Sequence, residues 1–196
     1  MMYKKIGIDI DDTLLDFIGA YVLFYNTRYK TNFKREDFKS YMFNETLGGT
    51  LEESVNSVKK FCNSSFVDEM KPLPDSQKVI QMLNKQSELF LVTSRTLDLK
   101  EITLNQISKY FPNLFSDILF SSNHYTKSKN TGKPKSEICL EKGISLLIDD
   151  SLIYTKECLE KNIGAILFDS PWNQNGHLKG IIRVKSWEEI GKLLLK

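Results

Sequence analysis

Five short runs along the chain are dominated by apolar residues: Tyr3 to Ile10, Leu89 to Thr93, Ile118 to Ser121, Ile144 to Ile148 and Ala165 to Phe168. None shows the apolar–polar alternation of a strand with one wet face. Strands of this kind are covered on both faces, a condition met by a parallel sheet between layers of helices. Ile181 to Val184 adds a short edge strand. Between the runs the apolar spacing turns helical. Ser76 to Lys85 carries Val79, Ile80, Met82 and Leu83 on one stripe, and Leu99 to Phe111 carries Ile102, Ile107 and Phe111. Ser136 to Lys142 and Ile153 to Asn162 are further helices, with Gly143 and Gly164 following where left-handed caps are expected. Strand–helix alternation predicts βαβ units and a doubly wound, Rossmann-like α/β sheet.

One segment interrupts this order. From Phe17 to about Lys71 no strand pattern occurs, and the composition is helical and rich in Phe and Tyr. A βα connection normally takes about 2 to 6 residues. The expected organisation is therefore an α/β core built from residues 1–16 and 72–196, with a small helical cap at 17–71 inserted after the first strand. Most of the cap aromatics are expected to form its core.

The first strand runs into IGIDIDDTLLDF, which sets Asp9, Asp11 and Asp12 within four positions. Carboxylates are rarely buried unless paired or bound to a cation. In parallel sheets ligands bind outside the carboxyl ends of the strands. Asp9 and Asp11 fall at such an end, and Asp149 and Asp150 fall at another, after ISLLI. If the first and fourth strands are neighbours, four carboxylates share one crevice. A hard divalent ion with oxygen ligands resolves their repulsion, and Mg2+ suits a site that also keeps waters and a substrate phosphate. Thr93 and Ser94 end the second strand, where a hydroxyl and backbone amides can grip phosphate oxygens, and Lys133 and Lys135 precede a helix leading to the fourth. Together these groups make a phosphoryl-transfer constellation. The plainer readings are solvated loop aspartates, an ordinary strand-end threonine, and helix capping by Asp149 or Asp150, for which Ser151 could serve instead.

Taken in order, DIDDT, LVTSR, a lysine and LIDDS resemble the four motifs of the haloacid dehalogenase (HAD) superfamily of phosphohydrolases, over nearly the whole chain. The resemblance implies roles. Asp9 is the nucleophile, Asp11 the general acid and base, and Thr93 the motif-two hydroxyl. Magnesium is held by Asp9, the Asp11 backbone carbonyl and Asp150, with Asp149 behind it. GKPKSEI admits either lysine; the form with a lysine directly before the helix, typical of the deoxynucleotidase-like branch, favours Lys135 over Lys133. DTLLDF resembles the 5'(3')-deoxyribonucleotidase-like branch, in which the phenylalanine lines the nucleotide pocket, here Phe17; Ser94 joins it in binding substrate. AILFDSPWNQN resembles bacterial and phage proteins of the same branch. Two departures stand out: Asp12 and Thr13 replace a Gly-Val pair, and motif two reads TSR where the deoxynucleotidases tend to have TSP. Trp172 and Trp187 read as packing.

With 27 basic against 25 acidic side chains, nothing asks for a nucleic-acid polymer or a membrane surface. No apolar run approaches the roughly 20 residues of a membrane span. Cys62, Cys139 and Cys158 are scattered, read as reduced thiols in or near the core of a cytoplasmic protein, and the spacing of His124 and His177 does not suggest zinc. The expected function is a magnesium-dependent phosphomonoesterase that dephosphorylates nucleoside or deoxynucleoside monophosphates through an aspartyl-phosphate. A phosphatase of another small metabolite such as a sugar phosphate, or a non-catalytic phosphate-binding HAD protein, are the other readings.

Overall fold

The parallel sheet is present in a computed structural model that describes residues 3–123, 132–175 and 179–195. Strands β1 (Lys5–Ile8), β2 (Glu88–Thr93), β3 (Asp117–Phe120), β4 (Leu146–Asp149), β5 (Gly164–Phe168) and β6 (Ile181–Val184) lie in the order 3-2-1-4-5-6, every pair parallel. Burial follows position in the sheet: central β4 is buried at every residue and edge β3 at none. That is why β4 reads as an unbroken apolar run. Histidines 124 and 177 and lysines 127 and 129 lie outside the described residues.

The helices are α1 (Phe17–Tyr29), α2 (Phe43–Leu47), α3 (Leu51–Cys62), α4 (Ser76–Leu83), α5 (Lys100–Tyr110), α6 (Lys135–Lys142), α7 (Leu152–Glu160) and α8 (Trp187–Leu194). Helix α4 buries Val79, Ile80 and Leu83 as its stripe requires, but Met82 stays exposed at the stripe's margin. Gly143 takes the left-handed cap after α6. Gly164 does not cap: it begins β5, and the left-handed residue after α7 is Asn162, a side chain that tolerates this conformation. Helix α8 has no counterpart among the helices read from the sequence. Within residues 17–71 the chain is helical with short turns. Its aromatics pack on one another, with Tyr21 and Phe61 fully buried at 5.6 Å between ring centroids and nearly perpendicular. They belong to the same apolar cluster as Ile8, Ile10 and Leu91 of the sheet region. No helix among the described residues is long and apolar enough to cross a membrane.

The strand order fixes where a ligand can sit. After β1 the chain moves outward to β2 and β3, then crosses back over β1 to continue through β4, β5 and β6. Connections therefore diverge between the carboxyl ends of β1 and β4 and leave a crevice there. The Asp9 amide donates to the Ile148 carbonyl at 2.9 Å, which brings Asp9 level with the end of β4.

The loop leaving β1 is tied down from below by α8. Trp187 is fully buried, and its Nε1 donates to the Thr13 carbonyl at 2.7 Å. Replacing Trp187 with Phe keeps an aromatic ring but leaves that carbonyl unpaired beside a small void. An orphaned buried acceptor plus lost packing predicts a fall in unfolding free energy of about 2–4 kcal/mol in urea titration. A loss below about 0.5 kcal/mol, the range of ordinary surface changes, would contradict this role.

Candidate active site

The site is assembled from the ends of three neighbouring strands. β1 delivers Asp9 and, one turn on, Asp11; β4 delivers Asp149 and Asp150; β2 delivers Thr93, Ser94 and Arg95. Carboxylate oxygens of Asp9, Asp149 and Asp150 lie within 4.8 Å of one another, and all three residues are buried.

Among the described residues, one ammonium serves this cluster. Lys135, at the first turn of α6, is wholly buried, and its Nζ donates to Asp9 at 2.6 Å and to Asp149 at 2.7 Å while lying 4.6 Å from the Tyr154 ring. Of the two lysines of GKPK, Lys135 lies in the cluster, whereas Lys133 is exposed and pairs with Glu141. A single cation does not balance the carboxylates around it. Burial pushes the Asp9 carboxyl up to about 7, with Lys135 pulling it down and Asp149 and Asp11 raising it further. Burial likewise raises Asp149 against the pull of Lys135, and raises Asp150 well above the ordinary range with help from Asp149, Asp9 and Asp12.

The acidic pair divides its work. Asp149 has one oxygen on Lys135 and the other accepting from the Ser151 amide at 2.8 Å. Asp150 is held differently: Trp172 Nε1 donates to its Oδ2 at 2.7 Å, Tyr41 OH reaches the same oxygen at 3.1 Å, and Asn173 Nδ2 donates to its backbone carbonyl at 2.7 Å. Ser151, not an aspartate, occupies the N-cap position of α7. Trp172 is thus part of the site as well as of the packing, a role the sequence did not reveal. Its only signal was the SPWN run at a strand end.

Asp12, where glycine stood in the resemblance, adopts a left-handed φ of 54°. Its carboxylate accepts from the Ile18 amide at 3.2 Å and from Arg35 at 2.7 Å, so it anchors the start of α1 and a turn of the inserted segment. Arg35 also pairs with Asp16 at 2.8 Å and stacks over Trp172 at 4.8 Å.

A cavity of about 430 Å³ opens over these strand ends. Its lining combines the polar Asp9, Asp11, Asp150, Ser94 and Arg95 with the apolar Phe17, Phe43, Val55, Val58 and Ile102. Phe17 sits edge-on to Phe61 at 5.4 Å and close to Tyr21 and Phe43, so it is both cluster and wall. Of the expected catalytic residues, Thr93 and Lys135 do not line the cavity, and of these two only Lys135 reaches the carboxylates of Asp9 and Asp149. Thr93 is placed otherwise: it is fully buried, and its Oγ1 accepts from the Arg95 amide at 3.2 Å. Arg95, noticed in the sequence only as a departure, grips Asp11 with two hydrogen bonds at 2.9 and 2.6 Å.

The sheet, its switch-point carboxylates and the buried lysine define a HAD-like hydrolase of phosphomonoesters. The family model of "5' nucleotidase, deoxy (Pyrimidine), cytosolic type C protein" matches residues 3–196, and the chain belongs to this nucleotidase family. It is 30% identical over 203 residues to the 5'(3')-deoxyribonucleotidase of Bacillus subtilis (strain 168), covering 99% of this chain and 100% of that protein. A nucleotidase of Clostridium acetobutylicum is 25% identical over 190 residues, covering 97% and 93%. The fold is also that of a haloacid dehalogenase-like hydrolase from Streptococcus pneumoniae (TM-score 0.70, 12% identity, 97% and 98% covered). CbbY from Rhodobacter sphaeroides, solved in complex with phosphate, is similar (TM-score 0.65, 15% identity, 97% of each chain).

The Lys135 arrangement makes a prediction about stability. Lys135→Met leaves Asp9 and Asp149 buried without their cation, which costs about 3–5 kcal/mol in magnesium-free buffer at pH 8. Burial raises the Asp9 carboxyl and Lys135 pulls it back to about 7; without Lys135 that carboxyl titrates higher still, so below the unmodified protein's value both forms bury a neutral Asp9 and the penalty shrinks. Urea titrations should therefore show a smaller loss at pH 5 than at pH 8. An equal loss at both would contradict the account.

Proposed function

We propose that the protein is a magnesium-dependent nucleotidase that removes the phosphate from nucleoside or deoxynucleoside monophosphates through an aspartyl-phosphate on Asp9. The observation that carries the proposal is the cavity. Polar residues at the strand ends and an apolar, partly aromatic lining share one space of about 430 Å³, within the range of small-ligand sites. The names of the relatives agree with a nucleotide substrate, the B. subtilis protein being a 5'(3')-deoxyribonucleotidase. Residues 17–71 act in this reading as a cap, with Phe17 and Phe43 against the nucleoside. Three free, buried cysteines accord with action in the cytoplasm.

Three buried carboxylates against one ammonium, all-oxygen donors and raised carboxyl pKa values fit a hard divalent cation. Asp9, Asp150 and the Asp11 carbonyl would hold Mg2+; both oxygens of Asp149 are engaged elsewhere. Bound there, the ion supplies charge neutralisation for phosphate and carboxylates alike.

The residues then divide the reaction. Asp9 attacks phosphorus in line with the ester oxygen, forming the P–O bond of an acyl phosphate as the ester P–O bond breaks. Asp11 gives the departing nucleoside oxygen its proton. Water next attacks the same phosphorus, Asp11 takes its proton, and Asp9 is released as carboxylate. Lys135 keeps Asp9 oriented throughout. Ser94 and nearby backbone amides bind the phosphate oxygens. Thr93 acts by fixing the Arg95 backbone, since its hydroxyl faces that amide.

Phosphate release is the direct test. With magnesium the protein should hydrolyse nucleoside monophosphates, EDTA should abolish turnover, and Asp9→Asn should reduce it to background. No release above the Asp9→Asn control from any member of a nucleotide panel would refute the proposal. Release from sugar phosphates alone would keep the chemistry and reject the substrate.

A further inference from the structure

Asp11 differs from the other carboxylates in which cation holds it. Asp9 and Asp149 share Lys135, whereas Asp11 is gripped end-on by Arg95, Nε donating to Oδ2 at 2.9 Å and Nη2 to Oδ1 at 2.6 Å. A lysine cannot make this planar, two-point contact. The guanidinium is itself immobilised. Its Nη1 donates to Thr103 Oγ1 at 3.1 Å and to Gln106 Oε1 at 2.8 Å, and the residue is only 9% exposed. Gln106 continues the chain of bonds: its Nε2 donates to the Val67 carbonyl at 3.1 Å and lies 3.6 Å from Met70 Sδ. Val67 and Met70 belong to the stretch that returns from the inserted helices to the core. A line of hydrogen bonds, buried in its middle and part-buried at its ends, thus runs from that stretch through α5 to Asp11.

We propose that Arg95 is a positioning residue for the hydrolysis: it aims the Asp11 carboxyl at the leaving oxygen, and Gln106 makes that aim depend on the return segment at Val67 and Met70. The proposal rests on the acid/base reading of Asp11. Arg95 takes one acceptor position on each Asp11 oxygen, and each oxygen keeps a second, so Asp11 can take or give a proton there while the guanidinium contact stays in place. Without the tether the half-exposed Asp11 side chain is free to adopt other rotamers, and misplacement of a reacting group by about 1 Å can cost on the order of 100-fold. The TSR motif gains a purpose in this account: an arginine at the end of β2 is within reach of the loop after β1 because the two strands are neighbours.

The test compares leaving groups in the full-length protein with magnesium. A nucleoside alkoxide leaves poorly without a proton, whereas p-nitrophenolate needs none. Arg95→Lys should lower kcat/KM for a nucleoside monophosphate by about 10–100-fold and kcat/KM for p-nitrophenyl phosphate far less, since kcat/KM reports the steps up to departure of the leaving group, whereas the later attack of water, which Asp11 also serves, is common to both substrates. Gln106→Met should show the same bias at smaller amplitude. Because Gln106 neither touches Asp11 nor lines the cavity, it carries the test if Arg95→Lys proves unfolded by thermal melting. Asp11→Asn is the reference. If it shows no leaving-group bias, the acid/base reading fails and takes this inference with it. If Asp11→Asn shows the bias and both other variants lack it, only the role of Arg95 is overturned. A rise in KM and in the inhibition constant of inorganic phosphate, equal for both substrates, would make Arg95 a phosphate ligand and would also overturn it.

Discussion

Everything in the site depends on one buried ammonium shared by two carboxylates. Lys135 lies between Asp9 and Asp149 with no exposure to water, and a third carboxylate, Asp150, stands beside them. Taking such charges out of water is costly unless the partners and their hydrogen bonds are nearly complete. The surroundings meet that demand: the Ser151 amide donates to Asp149, Trp172 and Tyr41 hold Asp150, and the Tyr154 ring covers the ammonium. The parallel sheet makes the cluster attainable, since β1 and β4 are neighbours at the point where the connections diverge. What remains unbalanced is negative charge: burial first, and the neighbouring carboxylates after it, raise the Asp9 and Asp150 carboxyls. That surplus is the strongest argument from this molecule for a divalent cation and an incoming phosphate.

The inserted helical segment is joined to this cluster by polar contacts as well as by apolar packing. Arg35 bridges Asp12 and Asp16 and stacks on Trp172, which in turn holds Asp150. Tyr41 reaches Asp150 directly. Gln106 bonds the segment's return path on the other side. The helices that form the apolar wall are therefore fastened to the same carboxylates on which the proposed chemistry depends.

The sheet was legible because burial on both faces leaves a mark on composition, and the strand-end aspartates because charge in an apolar context demands a reason. Lys135 was favoured over Lys133 only through the resemblance, because spacing alone left both open; its place at the start of α6, against Asp9 and Asp149, is set by the fold. Arg95, Arg35 and Trp172 were not assigned. Their partners lie 84, 23 and 22 positions away in the chain, and only the fold brings them together. Asn162 took the left-handed position expected at Gly164 because the turn closes two residues earlier than the glycine suggests.

The central claim is that Asp9, made nucleophilic in this cluster, becomes phosphorylated. The direct measurement is to quench the protein with acid during turnover of a nucleoside monophosphate, reduce it with borohydride, and sequence the peptides by mass spectrometry. The account predicts homoserine in place of Asp9, dependent on substrate and absent in Asp9→Asn. Turnover with no reduced residue at position 9, or with the modification at another carboxylate, would contradict it.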